Sequence, residues 1–320
     1  MPKRTPKRAP RWLRAVSWMF YMALCLFALL LGTAAGYIGH NHTVSIAQLV
    51  FPKEPKKLFH TNQFTVLMLG CDEDRTPGGK IIENNKARSD MMLIAQIDFD
   101  KNLITGLSIP RDTAVSLDGG PEHKINAYHA YGGAEMSKRA VEALLPGVGI
   151  DRVVTINFEG FDDMVNALGG VPVDVEKNMD YDDDAGHLHI HLKKGRHLLN
   201  GQQAEGYVRF RHSDSDYARA DRQHNFMLAF KAAAQQKPVA FPYLMDGLTK
   251  MLKDGMSSDE VVSLGTFVRE LPKDRLKFGS LPVHDRPHSR SFMVDVNEDE
   301  LPKVLKEYNL LENNNPAVNR

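Results

Sequence analysis

The sequence predicts an α/β fold: a three-layer α-β-α sandwich with a central mixed sheet, preceded by one N-terminal transmembrane helix. Three observations carry this. Apolar runs of strand length, FTVLMLG at 64–70, MMLIAQI at 91–97, LITGLSI at 103–109 and VVTINF at 153–158, are each bounded by glycine, proline or charged turns. Helical periodicity alternates with them, as at 134–145, where Met136, Ala140, Val141, Leu144 and Leu145 recur on one face. Finally, one long segment without charge lies behind a basic head.

That head, MPKRTPKRAPRWLR, carries six Lys and Arg and no acid. The apolar segment 16–38 follows it and is long enough to cross a hydrocarbon core of about 30 Å at about 1.5 Å per residue. Trp18 and Tyr21 stand near one edge and Tyr37 near the other, as interfacial aromatics do. Cations before the span and none directly after it put the N-terminus in the cytoplasm and the rest of the chain outside. Small residues at 33–35 also fit a signal-peptide cleavage site, but the apolar run exceeds the usual signal core, which favours an uncleaved anchor. The expected organisation is a cytoplasmic segment at 1–15, a span at 16–38, a Pro- and Lys-rich spacer at 39–62, a folded domain at 63–312 and a frayed tail at 313–320.

With 320 residues, 25% of them charged, and a formal net charge of zero, the chain can bury a sizeable core but lacks the basic surface of a dedicated nucleic-acid binder. Cys25 and Cys71 lie far apart in different settings, so no disulfide framework is expected.

Inside the domain, the runs at 91–97 and 103–109 are joined by DFDKN and read as a hairpin. Arg88 and Asp90 lead into the first strand; Arg111 and Asp112 close the second. Antiparallel pairing sets the start of one strand beside the end of the next, so these four residues share a neighbourhood. Asp72, Glu73 and Asp74 follow the first strand, where metal and phosphate chemistry collects in α/β folds. Two helices are expected after the strand at 153–158 and again from Gly201, with VPVDV at 171–175 as another strand and a terminal helix around Pro302.

Between 207 and 223 the chain packs Arg209, Arg211, Arg219 and Arg222 among Asp214, Asp216 and Asp221. Guanidinium forks match phosphate oxygens two at a time, so converging arginines suit a phosphate or diphosphate. A salt-bridge network within the cluster explains the same composition. If 208–212 is extended, Arg209 and Arg211 project together while Phe210 points into the core; if it is helical, they diverge. Beyond Asp216 a helix sets Arg219 and Gln223 on one face. Upstream, DYDDDAGHLHIH at 180–191 offers two metal patterns. Asp180, Asp182, Asp183 and Asp184 lack the Gly and Glu spacing of a calcium loop, while His187, His189 and His191 along one strand are too widely spaced for one zinc ion. A structural role is expected for both.

The ordered motifs LMLGCD at 67–72, RSD at 88–90, SIPRD at 108–112, HKINAYHAYGG at 123–133, NFEGFDDMVNALGGVPVDV at 157–175 and YVRFRHSDSDYARADRQ at 207–223 resemble those of the LytR-CpsA-Psr family of cell-wall glycopolymer ligases. The resemblance implies a phosphotransferase that moves a glycopolymer from a polyprenyl diphosphate carrier to peptidoglycan through a phosphodiester. It further implies that Arg88, Arg111, Arg209, Arg211, Arg219 and Gln223 hold the diphosphate, with Lys124 as an additional contact, and that Asp72 and Asp90 bind a magnesium ion. The catalytic assignment falls on Asp90, Arg111 and Arg209, with Asp90 as proton acceptor before Asp72. An apolar tunnel for the lipid is implied too, although burial between two helical layers explains apolar strands equally well. Cys71 stands where a serine or small residue is commoner in the family, and the loop between Asp74 and Arg88 is long. The alternatives are a hydrolase of the same diphosphate and a non-catalytic lipid-binding or regulatory membrane protein.

Overall fold

The computed structural model describes residues 44–71, 88–156, 158–183, 188–210, 216–252, 255–286 and 292–311. The expected span at 16–38, Asp72 and Arg211 lie outside these residues; among those described, no helix is long and apolar enough to cross a membrane.

Two short helices, α1 (Ile46–Val50) and α2 (Pro55–Phe59), lead into the domain. The central sheet is built from β1 (Gln63–Cys71), β2 (Ser89–Asp98) and β3 (Leu103–Ser108) as an antiparallel meander. After the small ribbon β4 (Ala114–Ser116) and β5 (Glu122–Lys124), helix α3 (Ala127–Leu144) crosses to β6 (Arg152–Ile156), which runs parallel to β1. Far later β11 (Leu276–Ser280) adds in parallel to β3, giving the mixed order β11-β3-β2-β1-β6.

Helices cover both faces. On one side lie α4 (Phe158–Ala167), α5 (Gly201–Arg209), α6 (Asp216–Gln236), α7 (Phe241–Met251) and α8 (Ser258–Glu270), whose buried Val165, Tyr207, Phe226, Leu244 and Val261 pack with Phe64, Val66 and Ile97 of the sheet. On the other, α3 and α9 (Leu301–Glu307) bring Ala140, Val141 and Leu305 against Leu67, Leu69, Ile94 and Leu107. The three expected layers are present. Those four sheet residues are fully buried, and each contributes about 2 kcal/mol of apolar transfer. A central strand covered on both faces needs apolar residues at nearly every position, which accounts for the run at 64–70.

The expected strand at 171–175 forms, as β7 (Val171–Val175), but outside the central sheet: it pairs with β10 (Gly195–Leu199) in a separate ribbon. β8 (Met179–Asp183) and β9 (Leu188–Leu192) make another, and β12 (Val283–Asp285) with β13 (Val294–Val296) a third. The helix expected at 134–145 begins earlier, at Ala127, and is interrupted at Gly132 and Gly133; Gly133 has φ 66°, a conformation that glycine adopts without strain.

Candidate active site

The carboxyl ends of the parallel pairs β1–β6 and β3–β11 point to one edge of the sheet, where ligands collect in α/β folds. The amino end of β2 meets them there. Cys71 at the end of β1 pairs with Ser89, whereas the preceding pair is Gly70 with Met91, so Asp90 is the extra residue of a β-bulge. Bulges re-aim side chains and concentrate next to active sites. Ile109 donates its N–H to the Met92 carbonyl at 2.9 Å, so β3 runs out beside the start of β2 and brings Arg111 and Asp112 beside Arg88 and Asp90, as the hairpin predicted.

Loop backbone bonds extend this edge. Asn126 N–H reaches the Arg111 carbonyl at 3.3 Å, and Ser89 N–H reaches the Asn126 carbonyl at 3.4 Å, so the HKIN segment is stitched to both strand ends. Asp112, 5% exposed, accepts from Lys124 Nζ at 2.7 Å and lies 3.8 Å from Arg111 Nε. One buried carboxylate thus orients two cations and leaves the group with net positive charge. Arg111 and Lys124 are half-buried; Arg88 is exposed. The sequence located Asp112 without giving it this role.

Helix α3 contributes one more contact to the same edge. His129 Nε2 lies 3.3 Å from Cys71 Sγ, both side chains buried, so the helix is pinned to the residue that precedes Asp72.

The arginine cluster resolves differently from the extended alternative. Val208 and Arg209 belong to α5, so the extended geometry at 208–210 does not form; the N-cap Asn200 and Gln203 complete a capping box that favours a helix here. Phe210 is nevertheless buried, the place that the extended alternative gave it. The last carbonyls of a helix lack intrahelical donors. Arg222, 2% exposed, satisfies two of them in this region: Nε donates to Tyr207 O at 2.9 Å, Nη2 to Phe210 O, while Nη1 pairs with Glu176 at 3.0 Å. Gln223 Nε2 donates to Val208 O at 3.2 Å. Burial pushes the Tyr207 phenol well above its ordinary value, aided by the negative charge of Glu176. Arg209 pairs with Glu205 one turn earlier at 2.5 Å. Arg219 is half-buried on α6. The helix reaches the sheet through His224, whose ring lies 5.9 Å from Phe278 of β11.

The histidine strand has the structural role expected of it. His191 Nδ1 lies 2.6 Å from Asp180 and His189 Nδ1 2.7 Å from Asp182, direct cross-strand neighbours in the β8–β9 hairpin. Among the described residues no cluster of three or more such side chains is arranged to hold a metal. His187 and Asp184 lie outside the described residues.

The sequence profile of the LytR_cpsA_psr family matches residues 37–309. The chain belongs to this family. It is 31% identical over 252 residues to the polyisoprenyl-teichoic acid–peptidoglycan teichoic acid transferase TagT of Bacillus subtilis (strain 168), covering 77% of this chain and 76% of that protein. Among solved structures, the crystal structure of B. subtilis TagV superposes with a TM-score of 0.62 at 28% identity, covering 78% of this chain and 98% of that one. A structure of TagT bound to LIIa-WTA gives 0.59 at 27% identity, covering 86% and 97%. The family's fold is therefore that of the sandwich described above.

Proposed function

We propose that this protein is a transferase that moves a glycopolymer from a polyprenyl diphosphate carrier onto peptidoglycan, forming a phosphodiester. The observation that carries the reading is the cationic edge of the sheet, with Arg88, Arg111 and Lys124 around the bulged Asp90, in a chain of the same family as the TagT transferase. Arg111 and Lys124, oriented by Asp112, neutralise the donor diphosphate, and Arg209 and Arg219 add positive charge from the helical side; Arg211, outside the described residues, completes the set that the family resemblance implies. Gln223 acts from its place against Val208. An acceptor hydroxyl attacks the phosphorus bonded to the sugar; the bond from that phosphorus to the bridging oxygen breaks, polyprenyl phosphate leaves, and Asp90 takes the hydroxyl proton.

Asp72 and Asp90 would hold a magnesium ion: Cys71 and Ser89, the residues that precede them in the sequence, are cross-strand partners, and paired carboxylates suit a hard divalent cation. When bound, the ion would offset charge developing on the phosphoryl oxygens. The segment at 16–38 anchors the domain to the cell membrane in a single pass with the N-terminus inside, keeping the site on the side where peptidoglycan lies.

The test is reconstitution of the full-length protein in detergent with a polyprenyl diphosphate sugar and peptidoglycan fragments, with and without magnesium. The expected result is polyprenyl phosphate release matched by a joined sugar-phosphate-peptidoglycan product, each falling about 100-fold or more in Asp90→Ala and Arg209→Ala. Release without a joined product identifies a hydrolase. Arg209-dependent lipid binding without release identifies a non-catalytic lipid-binding protein.

A further inference from the structure

Two buried polar side chains at the strand edge have no hydrogen-bond partner among the described residues: Ser89 Oγ and Asn126 Oδ1. Ser89 is fully buried and Asn126 4% exposed. Buried polar groups are nearly always satisfied, and the exceptions mark sites where a water, ion or ligand completes the bonding. Two other buried hydroxyls in this domain are satisfied by backbone: Thr113 Oγ1 donates to Pro110 O at 2.6 Å, and Ser263 Oγ to Lys53 O at 2.7 Å.

Asn126 is the N-cap of α3, a position where asparagine ordinarily turns its oxygen onto the first helical N–H groups. Asn200 does so at the start of α5, bonding Gln203 N–H at 3.0 Å. Asn126 makes no such bond, and its backbone is held from both sides, by the Arg111 carbonyl and the Ser89 N–H. Its oxygen is buried, and its backbone is bonded to Arg111 and Ser89 at the strand ends that carry Arg88, Asp90 and Arg111. Gln96 and His224, which also carry unsatisfied buried atoms, lie further into the domain, opposite Thr65 and beside Phe278.

We infer that Asn126 Oδ1 and Ser89 Oγ are positioning groups that accept a hydrogen bond from an O–H donor bound at this edge during the reaction. The inference rests on the functional reading above. A phosphate oxygen is itself an acceptor and does not satisfy the Asn126 carbonyl oxygen, so the partner of Asn126 Oδ1 is not the diphosphate. The O–H donors that such a site handles are a water in the shell of a divalent cation, which magnesium retains on binding, and the attacking sugar hydroxyl.

Asn126→Leu removes the acceptor at similar volume, Asn126→Asp keeps it, and Ser89→Ala removes the hydroxyl. These variants of the full chain are compared by melting temperature without ligand, by the rise in melting temperature on adding magnesium chloride alone, and by kcat and acceptor KM. Because Asn126 Oδ1 has no partner among the described residues, Asn126→Leu leaves the ligand-free Tm unchanged or raised while kcat falls at least 10-fold, and Asn126→Asp recovers part of it. If the donor is a cation-bound water, the magnesium-induced rise shrinks in Asn126→Leu; if it is the attacking hydroxyl, that rise is kept and acceptor KM increases. A fall in ligand-free Tm with kinetics unchanged per folded molecule overturns the inference, as does unchanged kinetics together with an unchanged magnesium response. Should the native chain transfer nothing, the functional reading fails, and the Tm comparison alone decides whether Asn126 is orphaned: a fall overturns the inference.

Discussion

Two arginine-bearing regions of this protein, the strand edge and the segment from Tyr207 to Gln223, are built on opposite principles. At the strand edge, cations are exposed or half-buried and are oriented by one buried carboxylate, Asp112, whose strength of placement comes from the sheet behind it. In the segment from Tyr207 to Gln223 the most deeply buried arginine, Arg222, spends its donors on backbone carbonyls and Glu176, and so works as an internal strut for the end of α5. Arg209 at that helix end is what the strut presents. Arg209 and Arg222 of one cluster therefore do not share one role; the acceptors each one meets decide it.

The largest expected effect on stability comes from removing the strut. Arg222→Met leaves the Tyr207 and Phe210 carbonyls without their donor and should cost about 3 kcal/mol in urea unfolding. Transfer activity should fall as well, because Arg209 loses its support. At the strand edge, Asp112→Asn keeps the shape and removes the charge that orders Arg111 and Lys124. About 2 kcal/mol of stability should go, with a drop of about 10-fold in kcat/KM measured at equal folded protein. If Asp112→Asn instead costs stability alone, the strand edge is as purely structural as Arg222 and the contrast collapses.

A smaller effect is expected of Gln223→Ala, about 1 kcal/mol for the single bond to Val208 O. A loss of donor affinity well beyond what that predicts would sharpen the comparison by giving Gln223 a direct contact as well. The smallest effect is a pH response of the β8–β9 ribbon. The hydrogen bond that His191 donates to Asp180, with the charge of Asp182, raises His191 above 6.5, and the bond from His189 lowers Asp182 below 3.8. A histidine whose folded value is raised contributes stability that is present below 6.5 and lost as pH rises through the raised value. A carboxylate whose folded value is lowered contributes stability present above 3.8 and lost as pH falls through the lowered value. The ribbon should be firmest between those limits, and an NMR titration of His191 should move toward 6.5 in Asp180→Asn. Both groups are exposed, so the change in global stability should be small.

Strand runs with two apolar faces, glycine stops and the hairpin at 91–109 were legible because they follow from local periodicity, and so was the meeting of Arg88, Asp90, Arg111 and Asp112, which only needs antiparallel pairing. The bulge at Asp90 was not, because one extra residue in a ladder leaves no mark on apolar patterning. Nor was the separation of β7 from the central sheet, since an alternating strand reads alike wherever it pairs. Arg209 was left between two conformations by its own sequence; the capping box at Asn200 and Gln203, nine residues upstream of Arg209 at its start, is what sets the helix. Arg222 could not be told from its neighbours because burial depends on carbonyls brought from another helix.

The most direct measurement of the central claim follows phosphorus. A donor labelled with 32P only at the phosphate bonded to the sugar is turned over by the full-length protein with peptidoglycan and magnesium, and the label is located. The account predicts that it enters the peptidoglycan fraction while the released polyprenyl phosphate stays unlabelled. Label recovered as free sugar phosphate would mean hydrolysis, and label left on the lipid would mean attack at the sugar carbon; either result contradicts transfer through a phosphodiester.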